Sequence, residues 1–249
     1  MKNSTSDQDI IYGIRTVLEA INSGRSINKL LIQKGLQGSL IKELWRELKR
    51  NNISHQGVPI QKLDYITKKN HQGVIAYVSP IEYYKIENLL PNIYEKGEVP
   101  LFLILDKITD VRNFGAIART AECNNVHGII IPSKGSAMVT SDAIKTSAGA
   151  LSNLPVCSEH NLKDVIAYLQ NSGLKVVGCT EKGAEIVYKT KLSEPLAIIM
   201  GSEKDGISPA YLKLCDALVK IPMYGSIESL NVSVSASILM YEVNRQRNE

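Results

Sequence analysis

The 249-residue sequence has no Cys-x-x-Cys pair and no His-Glu-x-x-His run, and its four cysteines, Cys123, Cys157, Cys179 and Cys215, stand 34, 22 and 36 residues apart. His55, His71, His127 and His160 are just as scattered. No metal-ligand set emerges from that spacing, and the cysteines are expected as buried thiols, the commonest fate of a free cysteine. No run of eighteen or more apolar residues occurs, which excludes a helical membrane span. Residues 1–9 are polar and acidic and lack the apolar stretch of a secretory signal, so a frayed terminus and a cytoplasmic location are expected. Gly-x-Gly-x-x-Gly, Gly-x4-Gly-Lys-Ser/Thr and Gly-x-Ser-x-Gly are all missing. A dinucleotide site, a P-loop and the nucleophile turn of an α/β hydrolase are therefore disfavoured.

What is present is an ordinary globular composition, 44 % apolar and 22 % charged, in a chain long enough for one small and one medium domain. The net charge of +4 is unevenly spread. Residues 1–79 hold twelve Lys/Arg against six Asp/Glu, a net of +6, which leaves seventeen against nineteen for residues 80–249. A basic segment of that kind suits a polyanion such as RNA, and it equally suits a well-solvated surface.

Along the chain, residues 10–21 read as a helix and 29–32 as a short strand. Ser39 offers an N-cap to a helix whose Leu40, Ile41, Leu44, Trp45 and Leu48 share one face. Residues 74–78 form a further apolar strand, giving a small α/β domain over 1–79. Residues 80–98, with Pro80, Pro91 and Gly97, read as a linker. Beyond it, continuous apolar runs at 101–105, 128–131, 175–179, 196–200 and 218–221 alternate with helical stretches at 114–123, 141–151, 162–171, 209–215 and 232–246. Runs without polar alternation are what strands buried on both faces of a parallel sheet look like, so residues 99–249 are expected to form an α/β domain.

Three stretches place polar or glycine-rich residues after predicted strands, where open α/β sheets bind ligands. The first is Asp106-Lys-Ile-Thr-Asp-Val-Arg-Asn113-Phe-Gly-Ala-Ile-Ala-Arg119. Alone it reads as well as a helix capped by Asn113 with a surface arginine. The second is Met200-Gly201-Ser-Glu203-Lys-Asp-Gly206, in which the glycines allow close backbone approach to a ligand or simply make a turn. The third is Ile221-Pro-Met223-Tyr-Gly-Ser-Ile-Glu-Ser229-Leu230-Asn231-Val-Ser233-Val-Ser235, where Ser229 and Asn231 are capable helix caps and the later serines are capable packing residues.

Taken together, in this order and spacing, the three stretches resemble the motifs of the SpoU (TrmH-like) family of RNA ribose 2′-O-methyltransferases, within the SPOUT superfamily. His71-Gln72-Gly73-Val74 and the segment around it resemble the small, L30e-like α/β RNA-binding domain of the subgroup that modifies a guanosine of large-subunit (23S) ribosomal RNA. The resemblance implies a trefoil-knotted α/β domain with a parallel sheet, S-adenosylmethionine as cofactor, no metal, and a homodimer with the cofactor site near its interface. It implies a catalytic set of Asn113, Arg119, Glu203, Ser229 and Asn231, and cofactor contacts from Thr180, Gly201, Ile221, Met223 and Leu230.

The implied reaction is in-line methyl transfer from a sulfonium to a ribose 2′-oxygen, in which alignment and water exclusion carry much of the catalysis. An arginine, with a pKa above about 12, is a poor base, so Arg119 is expected to grip a phosphate and lower the hydroxyl's pKa electrostatically. A transfer-RNA methyltransferase is the second reading of the same resemblance. A non-catalytic RNA-binding or ribosome-assembly protein is the third, disfavoured because binding alone does not need all five polar residues.

Overall fold

The computed structural model describes residues 10–51 and 53–249, so the terminus expected to be frayed lies outside it. The chain divides into two compact units. One runs to Glu82 and takes in Val139–Asp142; the other comprises Tyr83–Met138 and Ala143–Glu249.

The first unit carries β1 (Ile10–Tyr12), α1 (Ile14–Asn22), β2 (Ile27–Gln33), α2 (Ser39–Arg50), β3 (Gln56–Val58), α3 (Ile60–Ile66) and β4 (Val74–Val78). Its sheet runs β1-β4-β2-β3, antiparallel except for the β2/β3 pair. Residues 10–12, expected as helix, are strand instead. Gly13, at φ +92°, separates them from α1, a conformation that an L residue rarely adopts and that ends any helical reading of the apolar period. Ser39 opens α2 without capping it; Gly38 holds the cap position and no side chain supplies the bond. Of the predicted α2 face, Ile41, Leu44 and Leu48 are buried, whereas Trp45 is left 38 % exposed.

Strand alternation divides the core. Leu30, Ile32, Val74 and Ala76 face α1 and α2 on one side of the sheet. Leu31, Val58 and Ile75 face the other way, where Leu63 is the sole fully buried side chain of α3. A single such anchor stabilises by only about 1.5–3 kcal/mol, so α3 needs further ties. His71 supplies one. Its Nδ1 accepts from the Gly73 amide at 3.0 Å, which leaves Nε2 to donate to the Asp64 carboxylate of α3, also at 3.0 Å. Beside it, Gln72 adopts φ +50° and accepts from the first amide of α1, Ile14, at 3.2 Å.

The second unit begins with α4 (Ile86–Glu95), where a linker was expected. Ile86, Leu89, Leu90 and Ile93 form a helical stripe in the core of this unit, and Pro91 sits inside the helix without ending it. Proline and mixed charge hid that period. There follow β5 (Leu101–Leu105), α5 (Val111–Cys123), β6 (Gly128–Pro132), α6 (Ser141–Thr146), β7 (Val156–Glu159), α7 (Leu162–Asn171), β8 (Lys175–Cys179), β9 (Glu185–Ile186), β10 (Leu196–Met200), α8 (Pro209–Leu212), β11 (Ala217–Lys220) and α9 (Val232–Arg247). The seven strands run β7-β6-β5-β10-β8-β11-β9, parallel throughout. Every residue of β5 and β10 is buried, the condition expected of central strands covered on both faces. The α/β class with a parallel sheet is thus the observed one.

The last turn of α9 is tied down at several points. Arg247 donates to the carbonyls of Val99 at 2.9 Å, Pro100 at 2.9 Å and Glu194 at 3.0 Å, and Gln246 bonds Thr190 and Leu192. All four cysteines are free thiols, but only Cys157 is buried as expected: Cys179 and Cys215 are half-buried, and Cys123, the last residue of α5, is exposed. Among the described residues, no helix is long and apolar enough to cross a membrane.

Candidate active site

Strands β10, β8 and β11 are neighbours, and the loops leaving their carboxyl ends wall a cleft of about 590 Å³. Residues 179–182 contribute from β8, 200–206 from β10, and Ile221, Met223 and 228–232 from the segment joining β11 to α9. Ligands of open parallel sheets bind at this end of the strands. Thr180, Gly201, Ile221, Met223 and Leu230, the five residues assigned to cofactor contact, all line the cleft.

The β10 loop folds back on itself: Ser202 and Gly206 exchange backbone hydrogen bonds at 3.2 and 2.9 Å. A Cβ on Gly201 would lie 2.0 Å from the Gly206 carbonyl carbon and 2.1 Å from the Ile207 nitrogen. Gly201 is therefore required by the loop's own return path, the turn being one of the two readings that the sequence left open. Gly206, at φ +65°, makes the turn. Asp106, buried at the end of β5, accepts from the Ser208 amide at 2.6 Å and fixes the loop from below.

Three polar side chains from the three sequence stretches meet beside the cleft. Asn113 Nδ2 donates to Glu203 Oε1 at 2.8 Å, Asn231 Nδ2 donates to the same oxygen at 2.6 Å, and Asn231 Nδ2 also reaches Asn113 Oδ1 at 3.1 Å. Asn231 is set for this by capping α9: its Oδ1 accepts from the Ser233 amide at 2.9 Å, which orients its nitrogen towards Glu203. Asn113 does not cap α5. That role belongs to Asp110, whose carboxylate accepts from the amides of Arg112 and Asn113 at 2.7 and 3.2 Å, leaving the Asn113 side chain free to reach Glu203.

Ser229 lines the cleft next to Asn231. Arg119 does not. It lies exposed on α5 and makes no hydrogen bond or ion pair among the described residues. Of the five residues assigned to catalysis, three are joined, a fourth is adjacent, and Arg119 stands apart.

Sequence reasoning missed Glu181, Lys182, Lys204, Asp205 and Glu228, which also line the cleft. Their signal was position alone, at strand ends that carry no glycine motif of recognised spacing. With Glu203 they give four carboxylates against two lysines, an electrostatic environment that favours a cationic ligand. Cys179 is pushed up to about 12, chiefly by burial with Glu181 adding, so it stays a protonated thiol and is a poor nucleophile. Among the described residues, no group of three or more His, Cys, Asp or Glu side chains is placed to hold a metal ion.

Comparison with known proteins agrees with this geometry. The SpoU rRNA Methylase family matches residues 100–241, and the RNA 2′-O ribose methyltransferase substrate-binding family matches residues 10–84. A Staphylococcus aureus protein named for the TrmH family of tRNA/rRNA methyltransferases is 39 % identical over 243 residues, 98 % of both chains. A Bacillus subtilis protein named for the same family is 36 % identical over 244 residues, again 98 % of both. Among solved structures, the SpoU methyltransferase AviRb of Streptomyces viridochromogenes, in complex with AdoMet, superposes with a TM-score of 0.62. It shares 24 % identity and the match covers 100 % of this chain and 94 % of that one, a likeness of fold. With the catalytic-domain match spanning more than half of the sequence and relatives aligned over nearly all of it, this chain belongs to the SpoU family of RNA methyltransferases.

Proposed function

We propose that the chain transfers the methyl group of S-adenosylmethionine to a ribose 2′-hydroxyl of RNA. The observation that carries the reading is the Asn113–Glu203–Asn231 hydrogen-bonded set, which draws three distant stretches together at the rim of one cleft.

The cleft residues fit this cofactor. Met200, Ile221, Leu230 and Val232 offer apolar surface for an adenine ring, and the excess of carboxylates suits a ligand that carries a sulfonium and an ammonium. Thr180, Gly201, Ile221, Met223 and Leu230 would hold it. When bound, S-adenosylmethionine supplies an electrophilic methyl group on sulfur. The protein's own contribution is alignment. Asn113 and Asn231 fix the Glu203 carboxylate, and that carboxylate with Ser229 orients the substrate ribose. Arg119, exposed and without a partner among the described residues, is suited to an RNA phosphate, where its charge lowers the pKa of the neighbouring 2′-hydroxyl.

Ribosomal RNA, at a guanosine, is the substrate we favour, because residues 100–241 match the SpoU rRNA Methylase family and residues 10–84 an RNA 2′-O ribose methyltransferase substrate-binding family, the layout that resembles the rRNA guanosine subgroup. Transfer RNA is the second reading, since the bacterial relatives are named for both RNAs. We further propose a homodimer. Met223, Ile227 and Leu230 leave exposed apolar surface close to the cleft, Ile227 at 76 %, and a second copy would bury it. A cytoplasmic location follows from ribosomal RNA as substrate.

The decisive experiment incubates the protein with labelled cofactor and protein-free ribosomal or transfer RNA, then digests the RNA to nucleosides. Label in a 2′-O-methylnucleoside is the expected result, and label on a base, or none, overturns the reading. Mapping ribose methylation in a deletion strain assigns the nucleotide.

A further inference from the structure

The first unit offers two basic surfaces, and they differ in how carboxylates and aromatic surface are set among the cations. On α2, Lys42, Arg46, Lys49 and Arg50 are interleaved with Glu43 and Glu47, and Arg50 pairs with Glu47 at 3.2 Å. On α3 and the turn after it, Lys62, Lys68 and Lys69 are exposed, and among the described residues none has a carboxylate partner. The one acid there, Asp64, is occupied by His71. Between the lysines stands Tyr65, 86 % exposed although it is a large aromatic. Lys62 and Tyr65 are three residues apart on α3 and so are surface neighbours. Lys69 Nζ lies 5.6 Å from the centre of the Tyr12 ring on the edge strand β1.

The surface is also rigidly presented. Short α3, with one fully buried side chain and Ile66 half-buried beside it, is locked by the His71–Asp64 bond, and the turn carrying Lys68 and Lys69 is held by the Lys69 amide on Thr67 Oγ1 at 3.2 Å and by the His71–Gly73 bond. A bare aromatic ring set among unpaired lysines on a fixed backbone matches what unpaired RNA demands: a platform for a base and cations for the flanking phosphates.

We propose that the α3 face, formed by Tyr65, Lys62, Lys68 and Lys69, is where the substrate RNA docks, with an unpaired nucleobase stacked on Tyr65. The inference rests on the reading of the chain as an RNA methyltransferase and deepens it by naming single-stranded structure, a loop or bulge, as what the N-terminal unit recognises. The α2 face, where Glu43 and Glu47 are interleaved with the cations, plays no part in it.

The test uses the full chain, protein-free ribosomal RNA as the probe, and binding measured across a salt series. The triple variant Lys62→Ala/Lys68→Ala/Lys69→Ala should flatten the slope of log affinity against log salt by about two, since each phosphate contact on a single strand contributes about 0.7. Tyr65→Leu should weaken binding by about tenfold at an unchanged slope, and Tyr65→Phe should bind as the parent does. Cofactor binding and thermal unfolding, measured alongside, should not move, because all four side chains are exposed. Parent-like slope and affinity in the triple variant and in Tyr65→Leu would overturn the α3 assignment while leaving the methyltransferase reading intact. A parent protein that neither binds the RNA nor methylates it would overturn that reading instead.

Discussion

Glu203 Oε1 accepts the side-chain amides of both Asn113, 2.8 Å away, and Asn231, 2.6 Å away, so one carboxylate oxygen holds residues that stand 90 and 28 positions from it in the chain. The group is exposed, and water can replace these bonds when they are cut. Their importance therefore lies in position more than in stability. Glu203→Ala should lower single-turnover methyl transfer by at least about tenfold while changing stability by no more than about 1 kcal/mol. Equal losses in transfer and in thermal stability would reassign the group to structure.

Asn231 does two jobs that substitution can separate. Asn231→Asp keeps the cap of α9 but sets a second carboxylate against Glu203, so it should melt near the parent temperature and lose transfer. Asn231→Ala loses the cap as well, at about 1 kcal/mol, a fall of roughly 2–4 °C in a protein of this size. Scanning calorimetry beside a transfer assay distinguishes the two, and identical behaviour of both variants would count against the division.

Gly201 of the cleft and Gly225 of the β11–α9 segment should divide just as sharply. Gly201→Ala forces a Cβ to 2.0 Å from backbone and must open the β10 loop, so calorimetric affinity for S-adenosylmethionine should fall by more than about tenfold. Gly225→Ala, whose Cβ meets nothing within 4 Å, should bind like the parent. Tight binding by the Gly201 variant would remove that loop from the cofactor site.

Arg119→Lys tests the outlying member of the set. A solvated helix residue tolerates the change within about 0.5 kcal/mol and with full activity. A phosphate-gripping arginine does not, because lysine lacks the planar fork, and transfer should drop by roughly a hundredfold with cofactor affinity and melting temperature preserved. Near-normal transfer by the variant would take Arg119 out of the chemistry.

The thiols make a prediction about pH. Burial holds Cys157 and Cys179 up at about 12 and Cys215 at about 11. A thiol whose folded pKa is raised keeps its proton in the folded state longer than in the unfolded one. The unfolded chain then binds fewer protons between the ordinary thiol pKa, about 8.5, and these values, and stability falls across that window as pH rises. Melting temperature should decline above about pH 9, less steeply in Cys179→Ala. With a disulfide-exchange reagent at neutral pH, one fast thiol, Cys123, should be titrated in the native protein and four after unfolding.

How far the sequence disclosed all this depended on the scale of the signal. Continuous apolar runs such as 196–200 announced the parallel sheet because burial on both faces leaves no polar alternation to misread. Short elements were another matter. Residues 10–12 joined the apolar period of α1 until Gly13 was seen in its left-handed conformation, and Pro91 concealed a four-residue stripe that packs into the core. In the site, the residue types of the three stretches were legible, but their pairing was not. Sequence placed Asn113 at a helix cap that Asp110 occupies, and nothing local could reveal that the freed side chain turns to Glu203. Contacts between residues about a hundred positions apart are properties of topology, as is any threading of the chain, and periodicity carries neither.

Helix α9 links two places described separately. Its first turn is capped by Asn231 at the rim of the cleft, and its last is bolted by Arg247 to the backbone where β5 and β10 begin. Sixteen helical residues make a strut about 24 Å long, spanning the sheet from the foot of its strands to their tips. The Asn231 amide is thus aimed from the opposite end of the domain: the helix is a ruler, and one residue more or less between its two fastenings would rotate Asn231 by about 100° and swing it away from Glu203.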